Sequence, residues 1–281
     1  MRLRSSPAAP VIALVPTAAP AAQADLADDG GVAVLVAAAA RFAPAPAELL
    51  ARRELLRRVD TKFVAPIPAV AAIIERIVPA YAALTVPSGN VASYRSLYFD
   101  TPERDCFHAH RRGRRIRHKI RIRHYPDRAL TFLEVKTKRN EQVTDKHRIA
   151  LAWGAEQLGD AERAFLAAHV GLAVDELRPV MRIDFRRVSL VGADANERVT
   201  IDLGLTAEEL AGGRWGFGGL AVIEVKQAPF CVRTPVMRAV RGAGLREQSM
   251  SKYTIATAAM HPELRRNRLL PDLRATERRL V

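Results

Sequence analysis

The stretch HKIRIRHYPDRALTFLEVKTKRN, from His118 to Asn140, predicts two β-strands joined by a turn. Polar and apolar residues alternate along both halves, which is typical of half-buried strands. The apolar faces carry Ile120, Ile122, Leu133 and Val135. The opposite faces carry Lys119, Arg121, Arg123, Glu134 and Lys136. A solvated face usually mixes charge signs, so a face made almost wholly of cations indicates a surface that binds something negative.

The charge of the whole chain points to the same kind of partner. The 281 residues have a formal net charge of +14 and a sequence pI of about 10.6. Residues 111–148 alone contain 14 lysines and arginines against four acidic residues. Such an excess favours nucleic acid, an anionic membrane surface or phosphate-rich small molecules as partners.

Membrane insertion and disulfide chemistry are not indicated. The sequence contains no run of 18 apolar residues, so we expect no membrane-spanning helix. The two cysteines, Cys106 and Cys231, are far apart and have no metal-ligand spacing. They fit a reducing compartment, and we therefore expect a cytoplasmic protein.

Composition divides the chain into three parts. Residues 1–44 are rich in Ala and Pro and are predicted to be a disordered tail. Residues 45–260 contain the regular patterns and form the predicted folded domain. Residues 261–281 are basic and are predicted to be a loosely attached tail.

The folded part is predicted to contain at least eight strands with helices inserted between them. Besides the two opening strands, strands are predicted at 58–64, 93–100, 146–151, 180–190, 198–203 and 220–227, and helices at 46–56, 68–83, 101–110, 159–172, 234–243 and from 252 onward. Most strands alternate in polarity, which favours antiparallel pairing. We therefore predict an α+β fold whose antiparallel sheet of at least eight strands curls or closes into a β-barrel with flanking helices.

Closure of that sheet would gather the charged faces in the interior. The cations gathered there would be Lys62, Arg121, Arg123, Lys136, Lys146 and Arg198, with Glu134 and Glu224 as the few anions. Enclosed lysines and arginines repel one another unless a polyanion neutralises them, so this predicts a phosphate site. The two carboxylates are candidates to hold a divalent metal that bridges phosphate oxygens. The alternative is a set of ordinary solvated sheet faces, which are common in antiparallel sheets.

Nine motifs in order along the chain resemble the VTC domain. They are Asp-Thr-Lys-Phe (60–63), Ser-Leu-Tyr-Phe-Asp-Thr-Pro (96–102), Lys-Ile-Arg-Ile-Arg-His-Tyr (119–125), Leu-Glu-Val-Lys (133–136), Lys-His-Arg (146–148), Pro-Val-Met-Arg…Phe-Arg-Arg (179–187), Arg-Val-Thr-Ile-Asp (198–202), Ile-Glu-Val-Lys (223–226) and Ser-Lys-Tyr (251–253). That domain is the polyphosphate polymerase domain of the triphosphate tunnel metalloenzyme (CYTH-like) superfamily. The resemblance runs from about residue 50 to residue 258.

This resemblance implies an eight-stranded tunnel in which a metal-dependent enzyme transfers the γ-phosphoryl group of ATP to a growing polyphosphate chain. It implies ATP and inorganic polyphosphate or triphosphate as partners, and Mn²⁺ or Mg²⁺ as cofactor. The phosphate-binding residues implied by position are Lys62, Arg121, Arg123, Lys136, Lys146, Arg187, Arg198, Ser251 and Lys252, with Lys226 as a further candidate. Glu224 is implied as the main metal ligand and Glu134 as a weaker one.

Two features depart from a simple transfer of the family pattern. Arg187 shares its alternation face with Ile183 and Phe185, so either a bulge resets the register near Arg187 or Arg182 takes its place in the interior. Hydrolytic relatives carry a Glu-x-Glu-x-Lys strand that binds metal, whereas Arg58 stands here in place of the first carboxylate. This replacement argues against a simple triphosphatase.

Three other functions stay open on the sequence. A non-catalytic polyphosphate or nucleotide sensor with the same fold comes first, and a triphosphatase acting on inorganic or nucleoside triphosphates comes second. Nucleic-acid binding comes last, because the charge is suitable but no helix-turn-helix, zinc-finger or aromatic stacking pattern is present.

Overall fold

Alternating polarity produces one large antiparallel sheet in this chain. The computed structural model describes residues 30–52, 58–139 and 144–279. The strands are β1 Val59–Pro66, β2 Tyr81–Ala83, β3 Val91–Asp100, β4 Arg117–Tyr125, β5 Leu130–Lys138, β6 Thr144–Leu151, β7 Arg178–Gly192, β8 Glu197–Glu209, β9 Arg214–Gly216 and β10 Leu220–Gln227. The helices are α1 Gly30–Ala39, α2 Ala47–Arg52, α3 Ile67–Ile77, α4 Asp105–Arg112, α5 Asp160–Ala167, α6 Pro235–Gly242, α7 Lys252–Met260 and α8 Leu270–Glu277.

The eight long strands follow the order β1–β10–β8–β7–β3–β4–β5–β6, and all neighbours are antiparallel. The short strands β2 and β9 pair with β7 and β8. The predicted α+β class and antiparallel sheet are confirmed. The predicted barrel is only approximate, because within the described ranges the two outermost strands, β1 and β6, share no backbone pairing.

The sheet nevertheless curls so that its two ends approach each other. Asp60 and Arg58, at the start of β1, act electrostatically on Lys146 of β6. Lys62 of β1 acts in the same way on Lys119 and Lys136 of β4 and β5. The polar faces of the strands at the two ends of the sheet therefore border one shared interior space, which we call the tunnel.

The outer face of the sheet is apolar and lies under helices. Helices α1, α3 and α6 cover β1, β10, β8 and β7 with one buried cluster that includes Ile74, Ile201 and Ile223. A second cluster under α5 contains Ile122 of β4 and Leu133 of β5. Burial of these residues away from water is the main stabilising contribution of the outer face.

One end of the tunnel is itself apolar, which resolves the question of Arg187. Ile183 and Phe185 lie on the tunnel side of β7, where they pack with residues of α7 such as Tyr253. Arg187 continues the same face, since its guanidinium lies 5.2 Å from the Phe185 ring centroid. Between Ile183 and Arg187, β7 continues on one face without a bulge. The register shift opposite lies in β8, where Gly204 adopts φ 59° and forms a bulge with Leu205.

Both predicted tails differ from the prediction. Residues 1–29 lie outside the described ranges, but α1 packs Val32, Leu35 and Ala39 into the core. In the C-terminal segment, α8 buries Leu273, and Gln248 donates a hydrogen bond to Thr276 Oγ1 at 2.9 Å. Apolar residues at helical spacing within an Ala-rich or basic composition account for both differences.

Smaller differences concern element ends. The helix predicted at 68–83 stops at Ile77, and Tyr81–Ala83 form β2 instead. The helix predicted at 159–172 is shorter, Asp160–Ala167. The helix predicted at 46–56 is seen as α2, and its last residues lie outside the described ranges.

Candidate functional site

The wall formed by β4, β5 and β6 carries rows of cations on its tunnel face. Strand register places Lys119, Lys136 and Lys146 directly opposite one another across the three strands. The neighbouring row consists of Arg121, Glu134 and Arg148. We call this surface the basic wall, and its charged members are Lys119, Arg121, Arg123, Glu134, Lys136, Lys138, Lys146 and Arg148.

Mutual repulsion is visible in the lysine row. Burial, followed by the charges of Lys136 and Lys62, holds the pKa of Lys119 well below its ordinary value. Burial and Lys62 also lower the pKa of Lys136. Desolvation and Lys136 lower the pKa of Lys146 to about 8, although this edge residue is the most exposed of the three. Like charges directly opposite in a sheet are unfavourable, so this row is incomplete without a counter-charge.

Glu134, the carboxylate of the basic wall, is fully engaged by its neighbours. Arg121 donates to Glu134 Oε2 from Nε at 2.8 Å and from Nη2 at 2.5 Å. Tyr125 donates to the other carboxylate oxygen at 3.2 Å. Burial alone would raise the pKa of Glu134, but Arg121 and Arg123 overcome that effect and lower it to about 2. The carboxylate is therefore ionised at neutral pH and orients Arg121.

Aromatic rings of β3 and β7 support the arginines of the basic wall. Arg123 donates from Nε to Ser96 Oγ at 3.0 Å, and its guanidinium lies 5.4 Å from the Tyr94 ring centroid. Arg121 donates from Nη1 to the Tyr98 hydroxyl at 3.1 Å. Burial would raise the pKa of Tyr98, but Arg121 and Arg123 lower it overall. These contacts fix the guanidinium planes and leave the tunnel side of the row positively charged.

The opposite wall, formed by β1, β10, β8 and β7, alternates charge signs. We call it the mixed wall, and its charged members are Asp60, Lys62, Arg187, Arg198, Asp202, Glu224 and Lys226. Glu224 receives Lys226 Nζ at 2.5 Å on Oε2 and lies 3.4 Å from Lys62 Nζ through Oε1. Burial would raise the pKa of Glu224, but Lys226 and Lys62 hold it well below its ordinary value.

Asp202 is the most enclosed carboxylate of the mixed wall, with only 2% of its side chain exposed. Arg187 grips it with a bidentate fork, Nε to Oδ1 at 2.5 Å and Nη2 to Oδ2 at 2.8 Å. Lys252, the first residue of α7, donates to the same Oδ2. Burial opposes ionisation, yet Arg187 and Lys252 hold the pKa of Asp202 far below its ordinary value.

Helix α7 is anchored so that Lys252 reaches the tunnel. The Tyr253 hydroxyl donates to Asp100 Oδ2 at 2.6 Å, and the same buried carboxylate accepts the backbone N–H groups of Cys106 and Phe107 at 2.8 and 3.0 Å. Asp100 thereby ties the start of α7 to the start of α4. Ser251 precedes α7 and accepts a hydrogen bond from Thr254 at 3.0 Å.

Most residues predicted for the site meet in the tunnel; Arg182 does not, and Ser251 lies directly before α7. Lys62, Arg121, Arg123, Lys136, Lys146, Arg187, Arg198, Lys226, Glu134 and Glu224 occupy tunnel-side register positions, and Lys252 reaches Asp202 from α7. Arg198 also donates to the Leu50 carbonyl at 3.1 Å. Arg182 lies on the other face of β7, where its Nη2 is 3.0 Å from Glu156, so placing it in the tunnel was wrong.

Several tunnel residues were missed on the sequence. Asp202 falls on the charged face of its strand together with Arg198, so the alternation already marked it. Lys138 likewise lies on the charged alternation face of β5, and Arg148 lies on that of β6. Of the two supporting tyrosines of β3, Tyr98 lies within the motif at 96–102 and Tyr94 precedes it; their roles depend on which strands become neighbours.

The donor set of the tunnel does not make a metal site by itself. Each carboxylate pairs with a cation, including Asp60, which accepts from Arg58 Nε at 2.9 Å. Across the described ranges, no three His, Cys, Asp or Glu side chains converge as a ligand group. Mg²⁺ and similar ions are commonly held by one or two carboxylates together with substrate phosphates, and Glu224 fits that lesser role.

An antiparallel tunnel whose inner surface is lined by lysines and arginines defines a class of protein that encloses polyanions. The family model of the VTC domain matches residues 57–261. The chain therefore belongs to the VTC domain family. No curated protein matches the chain.

Solved structures of similar shape share little sequence with this chain. A Bacillus halodurans protein named as a candidate adenylate cyclase is 11% identical, with a TM-score of 0.44, over 69% of this chain and 94% of that one. A candidate adenylyl cyclase from Hippeastrum, described as having a dominant triphosphatase activity, is 17% identical, with a TM-score of 0.47, over 72% and 96%. A Vibrio parahaemolyticus protein is 12% identical, with a TM-score of 0.42, over 69% and 94%.

None of the helices in the described ranges has the length and apolar character needed to cross a bilayer.

Proposed function

We propose that this protein transfers the γ-phosphoryl group of ATP to the end of an inorganic polyphosphate chain held in the tunnel. The observation that carries this proposal is the row of Lys119, Lys136 and Lys146, three directly opposed cations beside which no carboxylate stands in register. A chain of phosphates supplies the repeated negative charge that such a row lacks. Membership of the VTC domain family supports a function in phosphoryl chemistry.

Phosphoryl transfer asks little covalent chemistry of the protein. The terminal oxygen of the chain forms a bond to the γ-phosphorus, the bond from that phosphorus to the β–γ bridging oxygen breaks, and ADP leaves with the electron pair. The protein has to align both phosphates and to offset the charge of the transition state. No general base is required, because the acceptor is already an oxyanion.

The described contacts suggest how the residues divide this work. Arg121 is held by Glu134 and Tyr98, so its fork is oriented before substrate arrives. Lys252 and Arg187 meet at Asp202 from different elements and would bind phosphate oxygens from the mixed wall. A divalent ion such as Mn²⁺ or Mg²⁺, brought by the phosphates and held through Glu224, would polarise the transferred group.

A non-catalytic sensor of polyphosphate or nucleotides is the second candidate. The observation that favours it is the pairing of Glu134, Asp202 and Glu224 with cations, which leaves little free carboxylate for a catalytic metal. Triphosphate hydrolysis is less well supported, because Arg58 occupies the place of a metal-binding carboxylate and pairs with Asp60. Because ATP-dependent chemistry and two unpaired cysteines fit the cytoplasm, we place the protein there.

One experiment separates these functions. Purified protein is incubated with ATP and Mn²⁺ or Mg²⁺, and the products are resolved by size. Polyphosphate chains with stoichiometric ADP are the expected result. Free phosphate alone would instead indicate a hydrolase, and tight tripolyphosphate binding without turnover would indicate a sensor.

Matched variants locate the activity in the tunnel. Arg121→Ala is expected to remove chain synthesis, because a bidentate guanidinium of the basic wall is lost. Arg182→Ala, an arginine of the same sheet on the outer face, is expected to leave synthesis unchanged. Equal loss in the two variants would contradict a tunnel site.

A further inference from the structure

A second basic cavity lies outside the tunnel, between α4, the outer face of β4 and β5, and the segment after α5. Its volume is about 550 Å³. His118 and Thr137 form its floor; they are cross-strand neighbours, joined by a 2.9 Å hydrogen bond between Nδ1 and Oγ1. They alternate with Lys119 and Lys136, which face the tunnel, so the sheet itself separates the two spaces.

The lining of this cavity is strongly basic. Its described residues include four arginines, three histidines and one acidic residue: Arg112, Arg114, Arg117, Arg139, His108, His118, His169 and Asp105. Asp105 is already occupied, since Thr101 Oγ1 donates to it at 3.0 Å. Arg139 pairs with Asp145, outside the lining set.

Two of the arginines are available for a ligand. Arg112 and Arg114 are exposed, and their side chains form no hydrogen bond or ion pair within the described ranges. Arg117 is held in place, because its Nη1 donates to the Arg114 carbonyl at 2.7 Å. Guanidinium forks match phosphate oxygens in a bidentate manner, and every permanent cation of this cavity is an arginine.

The histidines report the local positive field. Burial, followed by Arg111 and Arg112, lowers the pKa of His108. Burial, followed by Arg139, lowers the pKa of His118. Both rings are therefore neutral at pH 7, and they add hydrogen-bonding groups to the arginine charge.

We propose that this cavity binds an inorganic oligophosphate at a site separate from the tunnel. Four neighbouring arginines, of which Arg112 and Arg114 have no carboxylate partner within the described ranges, favour a ligand with several phosphate groups over a single small anion. Helix α4 links the two sites, because its residue His110 lies near Lys119 of the lysine row. Burial, followed by the charge of Lys119, lowers the pKa of His110 to about 2. An occupant of the cavity thus contacts the helix that borders the lysine row. The proposal concerns binding and does not depend on polymerase activity.

Calorimetric titration with sodium tripolyphosphate, at about 150 mM salt to screen weak surface attraction, tests this site. The variant Arg112→Ser/Arg114→Ser is expected to bind one equivalent fewer than the wild type, or to bind that equivalent at least about tenfold more weakly. The control Arg238→Ser/Arg241→Ser removes two exposed arginines from α6 and is expected to bind as the wild type does.

Two results would overturn the proposal. One is unchanged stoichiometry and affinity in the cavity variant. The other is a titration in which orthophosphate occupies the cavity and tripolyphosphate does not, because it would refute an oligophosphate ligand. A tunnel variant, Lys119→Met/Lys136→Met, is expected to retain the cavity equivalent. Failure of chain synthesis would therefore leave this test intact.

Discussion

The two walls of the tunnel differ in how far their charged side chains neutralise one another. On the mixed wall, three carboxylates stand among four cations, so most of the charge is balanced within the protein. On the basic wall, Glu134 pairs with Arg121 and also faces Arg123, whereas the lysine row beside it has no carboxylate in register. The mixed wall therefore needs little additional counter-charge, whereas we propose that phosphate groups supply the counter-charge of the basic wall.

Removal of a mixed-wall carboxylate should have the largest effect on stability. Asp202→Asn leaves Arg187 and Lys252 enclosed without a counter-charge, and we expect a loss of about 3–5 kcal/mol in the free energy of unfolding at pH 7. Urea denaturation measures this change. Glu208→Gln, on the outer face of the same strand, should change stability by no more than about 0.5 kcal/mol. Similar values for the two variants would show that Asp202 does not stabilise the wall.

A mixed-wall lysine should also be stabilising. Lys226→Met keeps much of the side-chain volume but removes the 2.5 Å ion pair with Glu224, and we expect a loss of about 2 kcal/mol. The loss is smaller than for Asp202 because Lys62 still faces the carboxylate. Urea denaturation at pH 7 measures this loss as well. A gain in stability would mean that the mixed wall is not balanced.

Removal of the hydrogen bond that anchors α7 should reduce the free energy of unfolding by a smaller amount. Tyr253→Phe removes the hydrogen bond to Asp100, which keeps its backbone donors, and we expect a loss of about 1 kcal/mol in thermal or urea unfolding. Because Lys252 then loses some of its positioning, tripolyphosphate should also bind a few-fold more weakly. Unchanged affinity together with reduced stability would separate the anchor from the site.

The titration of Lys146 is expected to have the smallest effect on stability and on tripolyphosphate binding. Its folded-state pKa of about 8 lies below the value of about 10.4 for an unfolded chain, so the unfolded state binds more protons between these values. The contribution of Lys146 to stability therefore rises with pH through that window, while tripolyphosphate affinity falls as the ammonium is lost. Parallel titrations of the wild type and Lys146→Met isolate this contribution. Identical pH profiles would contradict it.

The sequence predicted the basic wall better than the mixed wall. Alternation within the opening stretch was enough to place Arg121, Arg123 and Lys136 on one face, because their arrangement is local. The balance around Asp202 depends on β7, β8 and α7, which are distant in sequence, and strand register cannot be read from a single strand.

The choice between Arg182 and Arg187 shows the same limit. Alternation correctly grouped Arg187 with Ile183 and Phe185, but the apolar end of the tunnel was not foreseen. That end exists because α7, far along the chain, covers it. Similarly, α8 packs Leu273 into the core although the composition of its segment is basic. The composition of a segment indicates how polar it is, but it does not predict which part of the folded protein the segment packs against.

The unfolding free energy of Lys136→Met, with and without saturating tripolyphosphate, tests the central claim most directly. In the free protein, this substitution removes one of three opposed cations, and we expect the variant to be about 1 kcal/mol more stable than the wild type. With tripolyphosphate present, the variant should be the less stable of the two, because the wild type gains more from its ligand. A variant that is less stable than the wild type under both conditions would contradict the account of the basic wall as a surface completed by phosphate.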